Sequence, residues 1–250
     1  MDGKVAVVTG GAGLYGRQIT EALAQAGART YIASRNRKQS ELLASEFRDC
    51  RLDVRAMTLD LSDETSIEQL KRALLEDAGR VDVLVNNAVL RPVANWNCSA
   101  ADFSRSMQVN ATGLFLMTRM FGELMVQQGE GSIVNIGSIQ GSVGPDFSLY
   151  EGLGWETPPD YFFHKGGMLN FTRFAAAKLG PGNVRVNVIS PGGFYANQQP
   201  QFVSRYVAKT YLGRMANSTD LQGAVVFLAS DASAYITGAN LLVDGGYTAM

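Results

Sequence analysis

The sequence has few cysteine and histidine residues, no long apolar run and no excess of basic residues. Its 250 residues include two cysteines, Cys50 and Cys98, and one histidine, His164, so neither a disulfide framework nor a zinc site is indicated. No run of about 18 apolar residues occurs, which argues against a membrane-spanning helix. Lysine and arginine total 22 against 23 acidic residues, which leaves no basic surplus for nucleic acid or an anionic membrane. We therefore expect no metal, nucleic-acid or membrane partner.

The N-terminal residues 1–9 contain few apolar residues before the first glycines, too few for the apolar core of a signal peptide. The two cysteines lie in unrelated contexts and are expected to be reduced thiols. We therefore expect a cytoplasmic protein. A composition of 46% hydrophobic and 18% charged residues excludes a disordered chain.

Short β-branched runs alternate with longer helical patterns along the chain. Strands are predicted at 5–8, 30–33, 54–57, 81–85, 132–136 and 184–189, and helices at 17–26, 37–47, 64–78, 102–127, 161–179 and 219–229. Nearly continuous apolar runs are typical of parallel strands covered on both faces. The alternation, without any linker, predicts a single α/β domain over 1–250 with a doubly wound parallel sheet, the Rossmann fold.

Two segments do not fit this alternation. Residues 141–160 are rich in glycine, proline, aromatic and acidic residues, and residues 191–213 begin with Pro191-Gly192-Gly193. Loops of this length inside a domain are more often functional than idle. We expect both to shape a substrate cleft.

A glycine-rich turn follows the first predicted strand, and 27 glycines in the chain are more than usual. It consists of Gly10, Gly13, Leu14, Tyr15 and Gly16, and a helix is predicted to begin at residue 17. Such a strand-to-helix turn lets the backbone approach a pyrophosphate at the positive end of a helix. A plain tight turn would also use glycine, but the position after the first strand favours a phosphate site.

The second predicted strand ends in Ser34-Arg35-Asn36-Arg37. An acidic residue at this position would bind the adenosine ribose of NAD, and none is present. A guanidinium group matches a 2′-phosphate instead. The sequence therefore favours NADP, with NAD as the second choice. The alternative is that both arginines are ordinary solvated charges.

Four residues form a candidate catalytic group. Tyr161 and Lys165 are four residues apart in a predicted helix and therefore lie on one face, where the cation favours the phenolate. Ser138 follows a predicted strand, at the edge where doubly wound sheets bind ligands. Asn110 is a polar residue within an apolar run of a long predicted helix, and this unusual position suggests a specific role for its side chain.

With these motifs the sequence resembles the short-chain dehydrogenase/reductase family over nearly its whole length. The matching elements, in chain order, are the Thr9-Gly10 turn, Asp60-Leu61, Asn86-Asn87-Ala88, Ser138, Tyr161 with Lys165, Pro191-Gly192 and Val243-Asp244-Gly245-Gly246. The resemblance implies an oxidoreductase that interconverts a secondary alcohol and a ketone, and a homodimer or homotetramer formed through the long helix and the Tyr161 helix.

The resemblance also implies the role of each site residue. Tyr161 would be the general acid/base, and Lys165 would stabilise its phenolate and hold the nicotinamide ribose. Ser138 would bind the reacting oxygen, and Asn110 would position a water behind Lys165. The remaining cofactor contacts would be Asp60 and Leu61 at the adenine, Asn87 and Ala88 near the adenosine-side ribose and diphosphate, and Pro191, Gly192 and Phe194 at the nicotinamide.

The chain departs from the family pattern in two places. Leu14 stands where classical members have glycine, and the spacing of Gly10, Gly13 and Gly16 is that of extended members, the sugar-nucleotide epimerases and dehydratases. The classical architecture is favoured because 250 residues leave no room for the additional region of extended members. The second departure is a serine-to-tyrosine interval about ten residues longer than usual.

The longer interval contains Tyr150, Glu151, Trp155 and Glu156. This longer interval is loosely similar to that of oxidoreductases from gene clusters that make acidic sugars for the modification of flagellin or surface polysaccharides. Together with Asn197, Gln198, Gln199 and Gln201, these residues favour a polyhydroxylated substrate. The alternative is that the segment covers the outside of the helix.

Two alternative functions and the role of one residue stay open at this point. The fold could belong to a catalytically silent dinucleotide-binding regulator, although the catalytic group is present. The glycine spacing alone would suit an epimerase or dehydratase. His164 is expected to have an incidental or interface position, because its side chain points about 100° around the helix from Lys165.

Overall fold

Seven short strands form the centre of the protein, which is described over residues 1–249 by a computed structural model. They are β1 (Val5–Thr9), β2 (Arg29–Ser34), β3 (Val54–Thr58), β4 (Val83–Asn86), β5 (Gly131–Ile136), β6 (Val184–Pro191) and β7 (Asn240–Val243). All are parallel, in the order β3-β2-β1-β4-β5-β6-β7. This order confirms the doubly wound α/β fold. From β1 the chain adds strands towards one edge of the sheet as far as β3, and from β4 onwards it adds them towards the other edge. This switch between β1 and β4 opens a crevice at the carboxyl ends of these two strands.

Eight helices accompany the strands in the described residues. They are α1 (Leu14–Gln25), α2 (Arg37–Asp49), α3 (Glu64–Ala78), α4 (Ala100–Met107), α5 (Leu114–Gln128), α6 (Pro159–Leu179), α7 (Pro200–Val207) and α8 (Gln222–Ala229). Among residues 1–249, none of the helices combines the length and apolar character that crossing a membrane requires.

Strand β1 shows how the sequence specifies two packed layers. Successive side chains of a strand point to opposite faces. Val5 and Val7 accordingly belong to the core beneath α3, α5 and α6, whereas Ala6 and Val8 belong to the core beneath α1 and α8. All four are buried, which explains why the strand reads as a continuous apolar run.

A buried chain of polar side chains ties the middle of the sheet to the helices on one face. The Asn86 amide nitrogen donates to Asn135 Oδ1 at 2.9 Å, and the Asn135 amide nitrogen donates to Thr172 Oγ1 at 2.8 Å. Asn86 also donates to Thr118 Oγ1 at 3.3 Å. These contacts join β4 and β5 to α5 and α6, so they fix the height of α6 relative to the strand ends.

Three elements differ from the sequence prediction. The predicted helix 102–127 is divided by a π-helical turn, Gln108–Gly113. In that turn a side chain on Gly113 would meet the Leu61 carbonyl oxygen at 2.5 Å, so the helix lies against the loop after β3. Strand β7 was not predicted because it is short and only half-buried, which gives a weak apolar pattern.

Helix α7 lies within the segment 191–213 that was expected to be loop. Its signals are Pro200 at the first helical position and two buried aromatic residues four apart, Phe202 and Tyr206. This spacing places both rings on one helical face, so the pattern was present in the sequence but short.

Adjacent leucines in α2 provide a matched test of this packing. Leu43 is buried against β2 and β3, whereas Leu42 is 67% exposed. We expect Leu43→Ala to lower the free energy of unfolding by about 2–5 kcal/mol, since it leaves a cavity. Leu42→Ala should cost less than about 1 kcal/mol. Denaturant unfolding of both variants measures the difference, and equal losses would contradict the position of α2.

Candidate active site

One cleft of about 1070 Å³ runs along the carboxyl ends of the strands. It is lined by all the residues predicted to bind the cofactor: Gly10, Gly13, Leu14, Tyr15, Gly16, Ser34, Arg35, Asn36, Asp60, Leu61, Asn87, Ala88, Tyr161, Lys165, Pro191, Gly192 and Phe194. Ser138 also lines it, but Asn110 does not. Among residues 1–249, no three histidine, cysteine, aspartate or glutamate side chains cluster as metal ligands.

The glycine turn has the geometry that a pyrophosphate needs. Gly10 has φ +64°, and a Cβ on Gly16 would lie 2.2 Å from the Gly10 carbonyl oxygen, so larger residues are excluded at both positions. No side chain caps the first turn of α1, which leaves backbone N–H groups to face an anion. Leu14 is 65% exposed and does not fill the turn. The turn therefore fits a dinucleotide phosphate.

Tyr15 joins the glycine turn to the loop after β6. Its hydroxyl donates to the Gly192 carbonyl at 2.7 Å, and its ring meets Phe194 edge-on, with centroids 5.1 Å apart. Burial raises the pKa of Tyr15 above its usual value, so it stays a neutral donor. The contact closes one wall of the cleft.

At the end of β2, Arg35 lies in the cleft and is exposed. Asn36 caps α2 by accepting the Gln39 N–H at 3.1 Å, and Arg37 begins that helix outside the cleft lining. Across from them, hydrogen bonds from Ser62, followed by the charge of Arg35, lower the pKa of Asp60. Of the two predicted guanidinium groups, only Arg35 therefore lines the cleft.

Lys165 is buried beneath the cleft, where its ammonium donates to the Ile136 carbonyl at 2.5 Å. Burial, and then the positive charge of Arg91, lower the pKa of Lys165 to about 7. Its Nζ lies 5.7 Å from the centroid of the Tyr161 ring. The carbonyl at the end of β5 thus holds the Lys165 amino group next to the Tyr161 ring.

Tyr161 lies among three basic side chains. The Arg91 guanidinium carbon is 4.8 Å from the centroid of its ring, on the cleft side. His164 meets the ring edge-on at 5.2 Å. Burial, followed by the charges of Lys165 and Arg91, lowers the pKa of His164 to about 3, so the imidazole is neutral at pH 7. His164 is buried within the chain, which argues against the interface position among the two that were expected; an incidental position stays a prediction.

Ser138 and Asn110 occupy different places relative to the cleft. Ser138 Oγ accepts the Gln140 N–H at 3.2 Å and lies at the cleft wall after β5. Asn110 is buried in the π-helical turn, where its Oδ1 accepts the Leu90 N–H at 2.8 Å and its amide nitrogen donates to the Leu90 carbonyl at 2.7 Å. Asn110 therefore fixes the backbone of the loop that carries Arg91.

A buried chain of side chains continues behind Asn110. Its amide nitrogen donates to Ser106 Oγ at 2.9 Å, and Ser106 donates to Asp160 Oδ2 at 2.5 Å. Asp160 is 1% exposed and directly precedes Tyr161. Sequence reasoning missed Ser106, Asp160 and Arg91, because only the folded chain brings three separate segments together. The one sequence signal was an acidic residue in the first turn of a helix that begins with proline.

The long interval before Tyr161 lies against the cleft. Tyr150, Trp155 and Glu156 line it, as does Gln198 from the second loop. Tyr150 and Trp155 pack edge-on with ring centroids 4.9 Å apart. The Glu156 carboxylate accepts a hydrogen bond from the backbone N–H of Trp96 at 2.8 Å. Glu151 is exposed and outside the lining; its carbonyl oxygen accepts from Arg205. Asn197, Gln199 and Gln201 are likewise outside the cleft lining.

Comparison with known proteins gives consistent relatives. A family model described as enoyl-(acyl carrier protein) reductase matches residues 14–248. D-threitol dehydrogenase of Mycolicibacterium smegmatis is 35% identical over 256 residues, covering 99% of this chain and 94% of that protein. Cyclopentanol dehydrogenase of Comamonas sp. is 34% identical, covering 98% and 97% respectively.

Solved structures of similar proteins share the whole fold. A gluconate 5-dehydrogenase from Burkholderia cenocepacia, in complex with NADP and tartrate, matches with a TM-score of 0.91 at 28% identity, covering 100% of this chain and 97% of that chain. An NAD⁺-bound xylitol dehydrogenase matches with a TM-score of 0.89 at 27% identity, covering 98% and 99%.

The buried Lys165 makes stability depend on pH. Because its pKa is about 7 in the folded chain against 10.5 for the free side chain, the folded state binds fewer protons between these values, and raising the pH favours folding. We expect Lys165→Met to be more stable than the wild type at pH 6, with an advantage that shrinks towards pH 10.

Thermal unfolding of both proteins at several pH values between 6 and 10 measures this advantage. Lys178→Met, in the exposed part of the same helix, is the matched control and should show no such trend. A stability difference for Lys165→Met that is constant with pH would contradict the burial of the charge.

Proposed function

Because the chain belongs to the short-chain dehydrogenase/reductase family, we propose that it is an NADP-dependent dehydrogenase that interconverts a secondary alcohol and a ketone on a polyhydroxylated substrate. Membership makes it an NAD(P)-dependent oxidoreductase; the choice of NADP, the residue roles and the substrate class are proposed. The observation that carries the proposal is that Ser138, Tyr161 and Lys165 line the same cleft as the glycine turn.

Tyr161 transfers the proton of the reacting hydroxyl. When bound, NADP supplies the acceptor or donor of the hydride. Tyr161 takes the proton during oxidation and returns it during reduction. Protonated Lys165, held by the Ile136 carbonyl with its Nζ 5.7 Å from the centroid of the Tyr161 ring, stabilises negative charge on the phenolate. Ser138 donates a hydrogen bond to the reacting oxygen, which orients it towards Tyr161.

Asn110 does not line the cleft and acts through the residues that it holds in place. Its two hydrogen bonds to Leu90 hold the loop after β4, and its bond to Ser106 connects that loop to the residue before Tyr161. We propose that it positions the cleft wall next to Tyr161. The water-positioning role expected from the family resemblance stays a prediction.

A polyhydroxylated substrate suits the chemistry of the cleft wall. Gln140, Thr157 and Gln198 offer amide and hydroxyl partners, and Tyr150 and Trp155 offer aromatic faces for C–H groups. D-threitol, xylitol and gluconate occur in the names of similar proteins. Another similar protein is named for cyclopentanol, so assays should include this simple cyclic alcohol as the comparison compound.

NADP is preferred over NAD because Arg35 lies free in the adenosine end of the cleft. No carboxylate within residues 1–249 pairs with it within 4.0 Å. A guanidinium group binds a phosphate through two parallel hydrogen bonds. Similar proteins have been solved with NADP or with NAD⁺, so the family does not fix the cofactor, and the proposed preference is argued from the end of β2 alone.

A dimer or tetramer is the expected assembly, and the exposed aromatic residues of α5 and α6 support it. Phe115, Phe163 and Phe174 are 42%, 68% and 66% exposed. Large aromatic rings grouped on one surface are typical of subunit interfaces.

Removing the hydroxyl group of Tyr161 tests its assignment as the general acid/base. We expect Tyr161→Phe to lower kcat by about 100-fold or more, because proton transfer by a positioned acid/base contributes at least that much. NADPH absorbance with a panel of polyols, ketoses and cyclopentanol measures it. Tyr235→Phe, at a fully exposed position, should behave as the wild type. Full turnover by Tyr161→Phe would contradict the assignment, and substrate conversion without net NADPH change would indicate an epimerase.

Replacing Arg35 tests cofactor choice. We expect wild type to bind NADP⁺ more tightly than NAD⁺, and Arg35→Gln to weaken NADP⁺ binding at least about tenfold by removing a charged pair. NAD⁺ binding should change little. Calorimetric titration gives both affinities, and Arg37→Gln, outside the cleft lining, is the matched control. Tighter binding of NAD⁺ by the wild type would refute the role of Arg35.

A further inference from the structure

Arg91 is a guanidinium group at the substrate end of the cleft that the proposed chemistry does not use. It lies five residues after the end of β4, is exposed, and lines the cleft. Its guanidinium carbon lies 4.8 Å from the centroid of the Tyr161 ring. It is therefore next to the place where the reacting alcohol binds.

Arg91 has no acidic partner. Within residues 1–249, no carboxylate oxygen lies within 4.0 Å of it, whereas most ion pairs of the chain join surface arginines to nearby acids. Contact with an aromatic face does not use the N–H donors of a guanidinium group. The donors of Arg91 are therefore available to a ligand in the cleft.

The position of Arg91 is fixed from behind. Asn110 binds both the N–H and the carbonyl of Leu90, the residue directly before Arg91. Asn110 is in turn bound to Ser106 and, through it, to Asp160. Because the N–H and the carbonyl oxygen of Leu90 are both hydrogen-bonded, the backbone next to Arg91 is held in place, and its guanidinium group is positioned more firmly than one on a free surface loop.

The neighbours of Arg91 leave excess positive charge at this end. Lys165 and His164 lie on α6, and the charge of Arg91 contributes to the lowered pKa of each. The acidic residue that lines the same end is Glu156, whose carboxylate accepts the Trp96 N–H at 2.8 Å and is not paired with Arg91. An anionic substrate group would offset the charge of Arg91, together with that of Lys165 when it is protonated.

We infer that Arg91 binds the carboxylate of the substrate, which is a polyhydroxylated acid of the aldonate type rather than a neutral polyol. The planar guanidinium fork matches a carboxylate through two parallel hydrogen bonds. Tyr161 would then act on an alcohol a few carbon atoms from that carboxylate. The inference rests on the proposed function, because it names the substrate class of the same site.

Binding and turnover are measured for matched pairs of five- and six-carbon compounds, each aldonate beside the alditol of the same configuration. Wild type, Arg91→Gln and Arg91→Lys are saturated with NADP⁺ and titrated by calorimetry, and kcat/KM is then measured for the same pairs. Arg72→Gln is the control, since Arg72 is an exposed residue of α3 with one long ion pair to Glu76.

For at least one pair, the wild type should bind the aldonate about tenfold or more tightly than the alditol, as one charged hydrogen-bonded pair allows. Arg91→Gln should abolish this ratio, Arg91→Lys should keep part of it because the charge remains without the fork, and Arg72→Gln should leave it unchanged. The same ratios should appear in kcat/KM.

Equal affinity for both members of every pair, or binding of neither, would overturn the inference. So would a tighter fit for the matching sugar phosphate, or an equal loss on both members in Arg91→Gln, which would mean that Arg91 only supports the Tyr161 ring. Alditol oxidation without any aldonate preference would leave the proposed function standing. Aldonate-selective binding without any NADPH turnover would instead contradict the proposed function and support the role of Arg91.

Discussion

The hydroxyl of Thr9 holds together the two strands between which the crevice opens. It accepts the backbone N–H groups of Asn87 and Ala88, each at 3.0 Å, and the Asn87 amide nitrogen returns hydrogen bonds to the Thr9 and Gly10 carbonyls at 3.0 Å. These bonds join the ends of β1 and β4, where the winding of the sheet reverses. The glycine turn on one side and the loop that carries Arg91 on the other both start from this junction.

Charge is distributed along the cleft although the chain as a whole is nearly neutral. Arg35 lies at the end of the cleft next to β2, and Lys165 and Arg91 lie at the end that contains Tyr161. Each cation has a different environment: Arg35 is exposed, Lys165 is buried on a carbonyl, and Arg91 faces the cleft above a ring. The positive charge of the cleft therefore comes from the placement of single side chains, since the net charge of the chain is −1.

Much of the fold followed from local patterns, and the exceptions have physical causes. The six predicted strands and the position of α3 were recovered because their apolar runs are long enough to be distinctive. Strand β7 and helix α7 were missed because four and eight residues carry few buried positions. The break at Gln108–Gly113 depends on contact with the loop after β3, which no periodicity within one helix reveals.

By itself the sequence determined the alternation of six of the strands with helices, the glycine turn, the arginine at the end of β2, and the spacing that puts Tyr161 and Lys165 on one helical face. These are local properties, since each depends on residues close together in the chain. Only the tertiary structure decided that Asn110 holds the backbone before Arg91, and that Arg91 faces the cleft next to the Tyr161 ring without an acidic partner. Those relations join segments 20 to 70 residues apart, and packing against a common sheet edge brings them together.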